Sequence, residues 1–175
     1  QERMQKELEL AREIQESLLP DEPEAGFPVV GINLPAREVS GDFFDFFQRE
    51  DGLIYFNLAD VSGKGMNAAL LMAKTTSLLR HVAKSTTHAG EHLATVNDEI
   101  CEAVSHGMFI TIVSGFIDLE RRVIEFANAG HQPPLYHRDG KFEEIDATAP
   151  PLGIVSGAEF PVSTLPLDGG SLYMF

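Results

Sequence analysis

Met4, Leu8, Ala11, Gln15 and Leu18 follow one another in steps of four and three, with Leu10, Ile14 and Leu19 beside them, predicting a helix over residues 2–19. Pro20 stops it, and residues 21–26 read as a loop. The seam is narrow and the flanks are charged. That suits coiled-coil pairing, or a connector from an upstream module, better than a helix sunk into its own domain.

Beyond the loop the period changes to two. Residues 27–34 and 38–47 read as strands, and Asp51-Gly52 turns the chain into a third over residues 53–59. In the second of these, Val39, Gly41, Phe43, Asp45 and Phe47 share one face, and Glu38, Ser40, Asp42, Phe44 and Phe46 the other. Two helices follow, over residues 67–83 and 91–104, the latter with Leu93, Val96, Asn97, Ile100, Cys101 and Val104 on its apolar face. The rest is β: residues 109–119, 123–128, 135–137, 142–145, 160–165 and 171–175, with turns at Glu120-Arg121 and Asp139-Gly140. A hairpin, two helices and a meander, with no βαβ alternation, predict an antiparallel α+β architecture whose helices cover sheet faces.

Composition narrows the function. With 175 residues and 43% hydrophobic residues, the chain has the makings of one core. A formal net charge of −14 argues against a nucleic-acid partner, whose phosphates call for excess Lys and Arg. The same charge suits an acidic site filled by divalent cations. Cys101 is the single cysteine, expected in the core, so no internal disulfide forms. No apolar run approaches the ~20 residues that cross a bilayer, and the charged start lacks a signal peptide. A cytoplasmic location is expected.

The chemistry gathers at Leu58-Ala-Asp-Val-Ser-Gly-Lys-Gly65, where Asp60 ends a strand among small residues. A carboxylate there could cap the following helix, or hold a hard cation such as magnesium or manganese. The hairpin sets Asp42 and Asp60 on neighbouring strands, and two carboxylates that close repel unless a cation lies between them.

Five blocks in order resemble the SpoIIE/RsbU-like bacterial branch of the metal-dependent (type 2C, PPM) serine/threonine protein phosphatases. They are Ala11-Arg-Glu-Ile-Gln-Glu-Ser-Leu-Leu-Pro20, Val39-Ser-Gly-Asp-Phe-Phe-Asp45, Ala59-Asp-Val-Ser-Gly-Lys-Gly65 with Ala68-Ala-Leu70, Ala127-Asn-Ala-Gly-His-Gln-Pro-Pro134 and Pro151-Leu-Gly153. The resemblance implies an α-β-β-α sandwich of two antiparallel sheets flanked by helices. Residues 1–20 would be a linker or dimerisation helix, and residues 21–175 a phosphatase domain without its C-terminal part. It implies hydrolysis of phosphoserine or phosphothreonine by a centre of two manganese or magnesium ions. Asp60 matches the bridging aspartate, Val61 the carbonyl donor, and Asp42 an acidic residue acting through metal-bound water. Arg37 falls near a phosphate-contacting arginine, or is a solvated surface residue. Asp45, on the face opposite Asp42, reads as a structural hydrogen-bond acceptor, and His131 as loop architecture before accessory ligand. Lys64 belongs to no phosphate-loop motif.

The resemblance also implies partners: a phosphorylated STAS-domain anti-anti-sigma protein as substrate, an upstream sensor or receiver module, and a homodimer through the N-terminal helix. The chain departs from the family at its end. Relatives continue from a strand like Leu172-Tyr-Met-Phe175 into Thr/Ser-Asp-Gly and a later Asp-Asp, both metal-binding, and Gly169-Gly170 stands where Gly-Asp is usual. The expectation is therefore a fragment of an active enzyme, the competing one an inactive phosphatase-fold module that binds a regulatory partner.

Overall fold

The computed structural model describes residues 2–34, 41–63, 65–104, 107–147 and 149–175. The elements run α1 (Glu2–Leu18), β1 (Asp42–Gln48), β2 (Ile54–Val61), α2 (Met66–Ala83), α3 (Ala89–Ala103), β3 (Ile110–Asp118), β4 (Val123–Ala129), β5 (Leu135–Arg138), β6 (Lys141–Glu144), β7 (Val162–Pro166) and β8 (Leu172–Met174). A five-stranded sheet has the order β1-β2-β3-β4-β7, and a three-stranded sheet the order β6-β5-β8. Every pairing between named strands is antiparallel.

Strand parity builds two cores from one sheet. Phe43, Tyr55, Ala59, Val61, Ile110, Ile112 and Phe116 face α2 and α3, where Met72, Leu79, Leu93, Val96 and Ile100 meet them. Phe46, Ile54, Phe56, Val113, Ile117, Ile124 and Phe126 face the other way, against Phe27, Val29, Ile145, Tyr173 and Phe175. The aromatic pairs Phe56–Phe175 and Phe126–Phe175 tie the two sheets together. Helices thus cover one face of the larger sheet and the small sheet covers the other. Among the described residues no helix lies on the outer face of the small sheet.

Polar side chains fix the helix ends. Glu125 of β4 accepts from the Ala89 amide at 2.9 Å, so α3 begins two residues before the sequence predicts. Arg49, beside the hairpin turn, donates to the Ala83 and Thr86 carbonyls at 3.0 and 2.6 Å and closes the end of α2.

Three expectations meet a different structure. Residues 27–34 form no strand. The chain is extended there and alternates, with Phe27 and Val29 turned inward and Val30, Ile32 and Leu34 at 75–85% exposure. Among the described residues no strand pairs with this segment, and alternation reports half-burial rather than pairing. Cys101 is half-buried at the edge of α3, its thiol against Asn97 Oδ1 at 3.6 Å. The narrow seam of α1 is sunk in the domain along part of its length: Ala11 is fully buried, Gln15 is 5% exposed, and Gln15 Nε2 donates to the Asp42 carbonyl at 3.2 Å.

Candidate metal centre

The β1–β2 register pairs Asp42 directly with Asp60. Next across the sheet, Thr111 of β3 stands opposite Asp60. All three have the parity of the inter-sheet face, but they sit at the end of the sheet that the small sheet does not cover. A cleft of about 500 Å³ opens there, lined by Asp42, Phe44, Leu58, Asp60, Thr111 and His131 among others.

Gly41 makes the convergence possible. A Cβ at this position would lie 2.5 Å from Asp60 Oδ1 and 2.6 Å from the Val61 carbonyl oxygen. The Val61 amide donates to the Gly41 carbonyl at 3.1 Å, which holds the two strands at that separation. One carboxylate oxygen and one carbonyl oxygen therefore share a space kept clear by a missing side chain. Oxygen-only donors of this kind fit a hard cation such as magnesium or manganese, which completes its shell with water. Asp60 and Val61 would hold such an ion directly, and Asp42, opposite, would act through a water. Among the described residues, no three His, Cys, Asp or Glu side chains come together closely enough to hold a metal by themselves.

The electrostatics agree with a site short of positive charge. Partial burial and then the nearby Asp42 raise the Asp60 carboxyl above its usual range, and His131 offsets part of this. Burial lowers the His131 imidazole below its usual value, against the pull of Asp60 and Asp42.

His131 is presented by a fixed loop. The buried Asn128 accepts from the His131 amide at 2.8 Å and donates to the His131 and Gln132 carbonyls at 3.2 and 3.3 Å. Gly130 takes φ 66°, and a Cβ on it would strike Pro151. The imidazole Nδ1 lies 3.0 Å from Thr111 Oγ1.

The structure separates the other candidates. Asp45 faces the helices, 1% exposed, and accepts two bonds from Arg80 of α2 at 2.7 and 2.9 Å. It does not reach the cleft. Arg37 and Lys64 lie outside the described residues. Sequence reasoning missed Gly41, Thr111 and Asn128. Gly41 stood visibly beside Asp42, but its closeness to Asp60 needs the register. Asn-Ala-Gly-His signals a turn without saying that the Asn side chain staples it.

The fold is that of the PP2C phosphatase domains. The SiaA PP2C domain of Pseudomonas aeruginosa superposes with a TM-score of 0.77 at 18% identity, covering 98% of this chain and 70% of that one. The RsbU and RsbW domains of a Mycobacterium tuberculosis protein give 0.70 at 28% identity, over 81% of this chain and 40% of that one. The family model for stage II sporulation protein E (SpoIIE) matches residues 50–175, and the chain belongs to that family. Phosphoserine phosphatase RsbU of Bacillus subtilis is 27% identical over 176 residues, covering 98% of this chain and 52% of the relative. Phosphoserine phosphatase RsbP of the same organism is 28% identical, covering 91% and 41%. The chain spans about half the length of these curated relatives.

Proposed function

We propose that this chain is the catalytic part of a metal-dependent phosphoprotein phosphatase that hydrolyses phosphoserine or phosphothreonine. One observation carries the reading: Asp42 and Asp60 face each other across a hairpin, with Asp60 and the Val61 carbonyl converging over Gly41 at the mouth of a cleft. Magnesium or manganese bound there, two ions in the expected centre, would supply the charge that makes water a nucleophile near neutral pH and offsets charge on the phosphoryl oxygens. This chain's own residues shape the rest. Asp60 and Val61 orient oxygen donors, Gly41 keeps their space open, and Phe44 and Leu58 line the cleft on an apolar side.

The names of two relatives, phosphoserine phosphatases RsbU and RsbP, support phosphoserine as the group hydrolysed. We extend this to a partner-switching role in the cytoplasm, with a phosphorylated STAS-domain anti-anti-sigma protein as substrate. In the same reading α1 joins the domain to a sensor or receiver module and pairs with a second copy, using its outward face, where Leu10 is 51% exposed. Sedimentation of residues 1–175 against 21–175 tests the pairing; equal monomer masses would remove it.

A second reading, a phosphatase-fold module that binds a regulatory partner without turnover, draws on the two-carboxylate count among the described residues. The deciding experiment incubates the intact protein with manganese and a phosphoserine peptide. Turnover is expected, with a loss of at least roughly 100-fold in Asp60→Asn. Equal turnover by wild type and variant would sink the assigned role of Asp60, and no turnover by wild type would favour the second reading.

A further inference from the structure

We propose that His131 is the hydrogen-bond donor that binds and orients the substrate's phosphoryl group, with Thr111 and Asn128 as the residues that position it. The proposal rests on the phosphatase reading above and adds a contact to it.

A phosphoryl group offers only acceptor oxygens, and the carboxylates of Asp42 and Asp60 and the Val61 carbonyl are acceptors too. The side-chain donors among the described residues of the cleft lining are Asn33, Thr111, His131 and Gln132. Asn33 already donates to the Asp42 carbonyl at 3.5 Å. Gln132 is exposed and its side chain lacks the support given to its neighbour. Thr111, on β3, is rigid too, but its hydroxyl is engaged with His131 Nδ1, which leaves the imidazole as the rigidly mounted donor.

That mount has three supports. Asn128, 4% exposed, grips the backbone on both sides of the imidazole with the three hydrogen bonds given above. Gly130 wedges the loop against Pro151. Thr111 holds Nδ1 at 3.0 Å from a strand position that pairs with Asp60, so the ring is indexed to the same row as the metal-site carboxylates. The role requires the Thr111 hydroxyl to donate to Nδ1, which puts the neutral ring's proton on Nε2, where it can donate to a phosphoryl oxygen. No proton is transferred in this role. Water bonds to phosphorus as the P–O bond to the serine breaks, the serine oxygen leaves with a proton from that water, and His131 binds and aligns the phosphoryl group that becomes inorganic phosphate.

The test combines ring-nitrogen NMR with kinetics on the intact protein. Nitrogen-15 shifts of His131 are expected to show the Nε2–H form, and inorganic phosphate added with diamagnetic magnesium is expected to move the Nε2 signal. On a phosphoserine peptide, His131→Ala should lose roughly 10- to 100-fold in kcat/KM, the range for a hydrogen bond to a charged group. His131→Gln, which can donate, should recover most of the loss. Thr111→Ser should keep the tautomer and Thr111→Val should lose both tautomer and rate. Manganese affinity should be the same in all four variants. An Nδ1–H ring, unchanged kinetics in His131→Ala, or a parallel fall in its manganese affinity would overturn the proposal, the last by making His131 a ligand. If the wild type shows no turnover, the phosphatase reading fails, and the Nε2 response to phosphate still decides whether His131 binds the anion.

Discussion

Acidification should destabilise this domain through one buried histidine. His92 of α3 is fully buried, with Nε2 2.9 Å from the Leu79 carbonyl and Nδ1 3.4 Å from Ser114 Oγ. Tyr55 and Phe116 close around the ring at centroid distances of 5.1 and 6.0 Å. Burial holds the imidazole down to about 4, against an ordinary 6.5, and the bond to Leu79 only partly opposes this. Above pH 6.5 both folded and unfolded states keep it neutral, so it adds no pH dependence. As pH falls from 6.5 towards 4, the unfolded chain takes up a proton that the folded chain refuses, and stability drops. The gap corresponds to about 3 kcal/mol by pH 4, of which roughly 2 kcal/mol is gone at pH 5. Asp60 acts with the opposite sign. Its raised carboxyl costs stability when ionised and is relieved by protonation, so it cannot mimic the histidine. Urea unfolding of wild type and His92→Gln between pH 7.5 and 4.5 checks this: the wild type should lose the extra increment and the variant should not. Parallel curves would refute the reasoning. So would an imidazole signal for His92 that titrates near 6.5 in the folded protein, a measurement that needs no variant.

Two further perturbations probe the cleft and the ion pair behind it. Gly41→Ala puts a methyl group 2.5 Å from Asp60 Oδ1 and 2.6 Å from the Val61 carbonyl oxygen, so manganese affinity measured by calorimetry should fall at least roughly 10-fold. Unaltered affinity would show that those two oxygens are not donors. Arg80→Ala leaves the buried Asp45 without its two bonds, at a cost of about 2 kcal/mol in urea unfolding after discounting for the 44% exposure of the arginine. A change under about 0.5 kcal/mol would mean water replaces the guanidinium freely.

What the residue pattern reveals, and what it hides, divides along physical lines. Helices α1, α2 and α3 carry a 3.6 period and were legible nearly to their ends; α3 starts early because Glu125, on a distant strand, caps it. The facing of Asp42 and Asp60 was legible too, since Asp51-Gly52 fixes a hairpin and a hairpin fixes who sits opposite whom. Residues 27–34 misled because Phe27 and Val29 bury against the inter-sheet core exactly as strand residues would, while pairing depends on a neighbour that local sequence does not name. Thr111 and Asn128 stayed hidden for a related reason. Their value lies in the register between β2 and β3 and in a loop closing on itself, both set by tertiary packing.

The place of the site follows from parity and from where the sandwich ends. Asp42, Phe44 and Phe46 alternate along one face of β1, as Phe56, Leu58 and Asp60 do on β2. Towards the hairpin this face is filled: Phe46 stacks on Phe27 and Phe44, and Phe56 meets Phe175. Towards the other end the small sheet falls away, and the positions that would carry apolar residues carry carboxylates. A carboxylate pair deeper in that row would have to be neutralised inside the core at a cost of several kcal/mol per ion. At the rim, water reaches both groups, and the pair keeps a position fixed by seven consecutive register contacts between β1 and β2. The opposite face of the same strands supplies the rigidity, with Asp45 locked to Arg80 three residues from Asp42 and Ala59 and Val61 buried on either side of Asp60. Precision and access thus come from the two faces of one hairpin, which is why a site resting on a single strand pair can be this well defined.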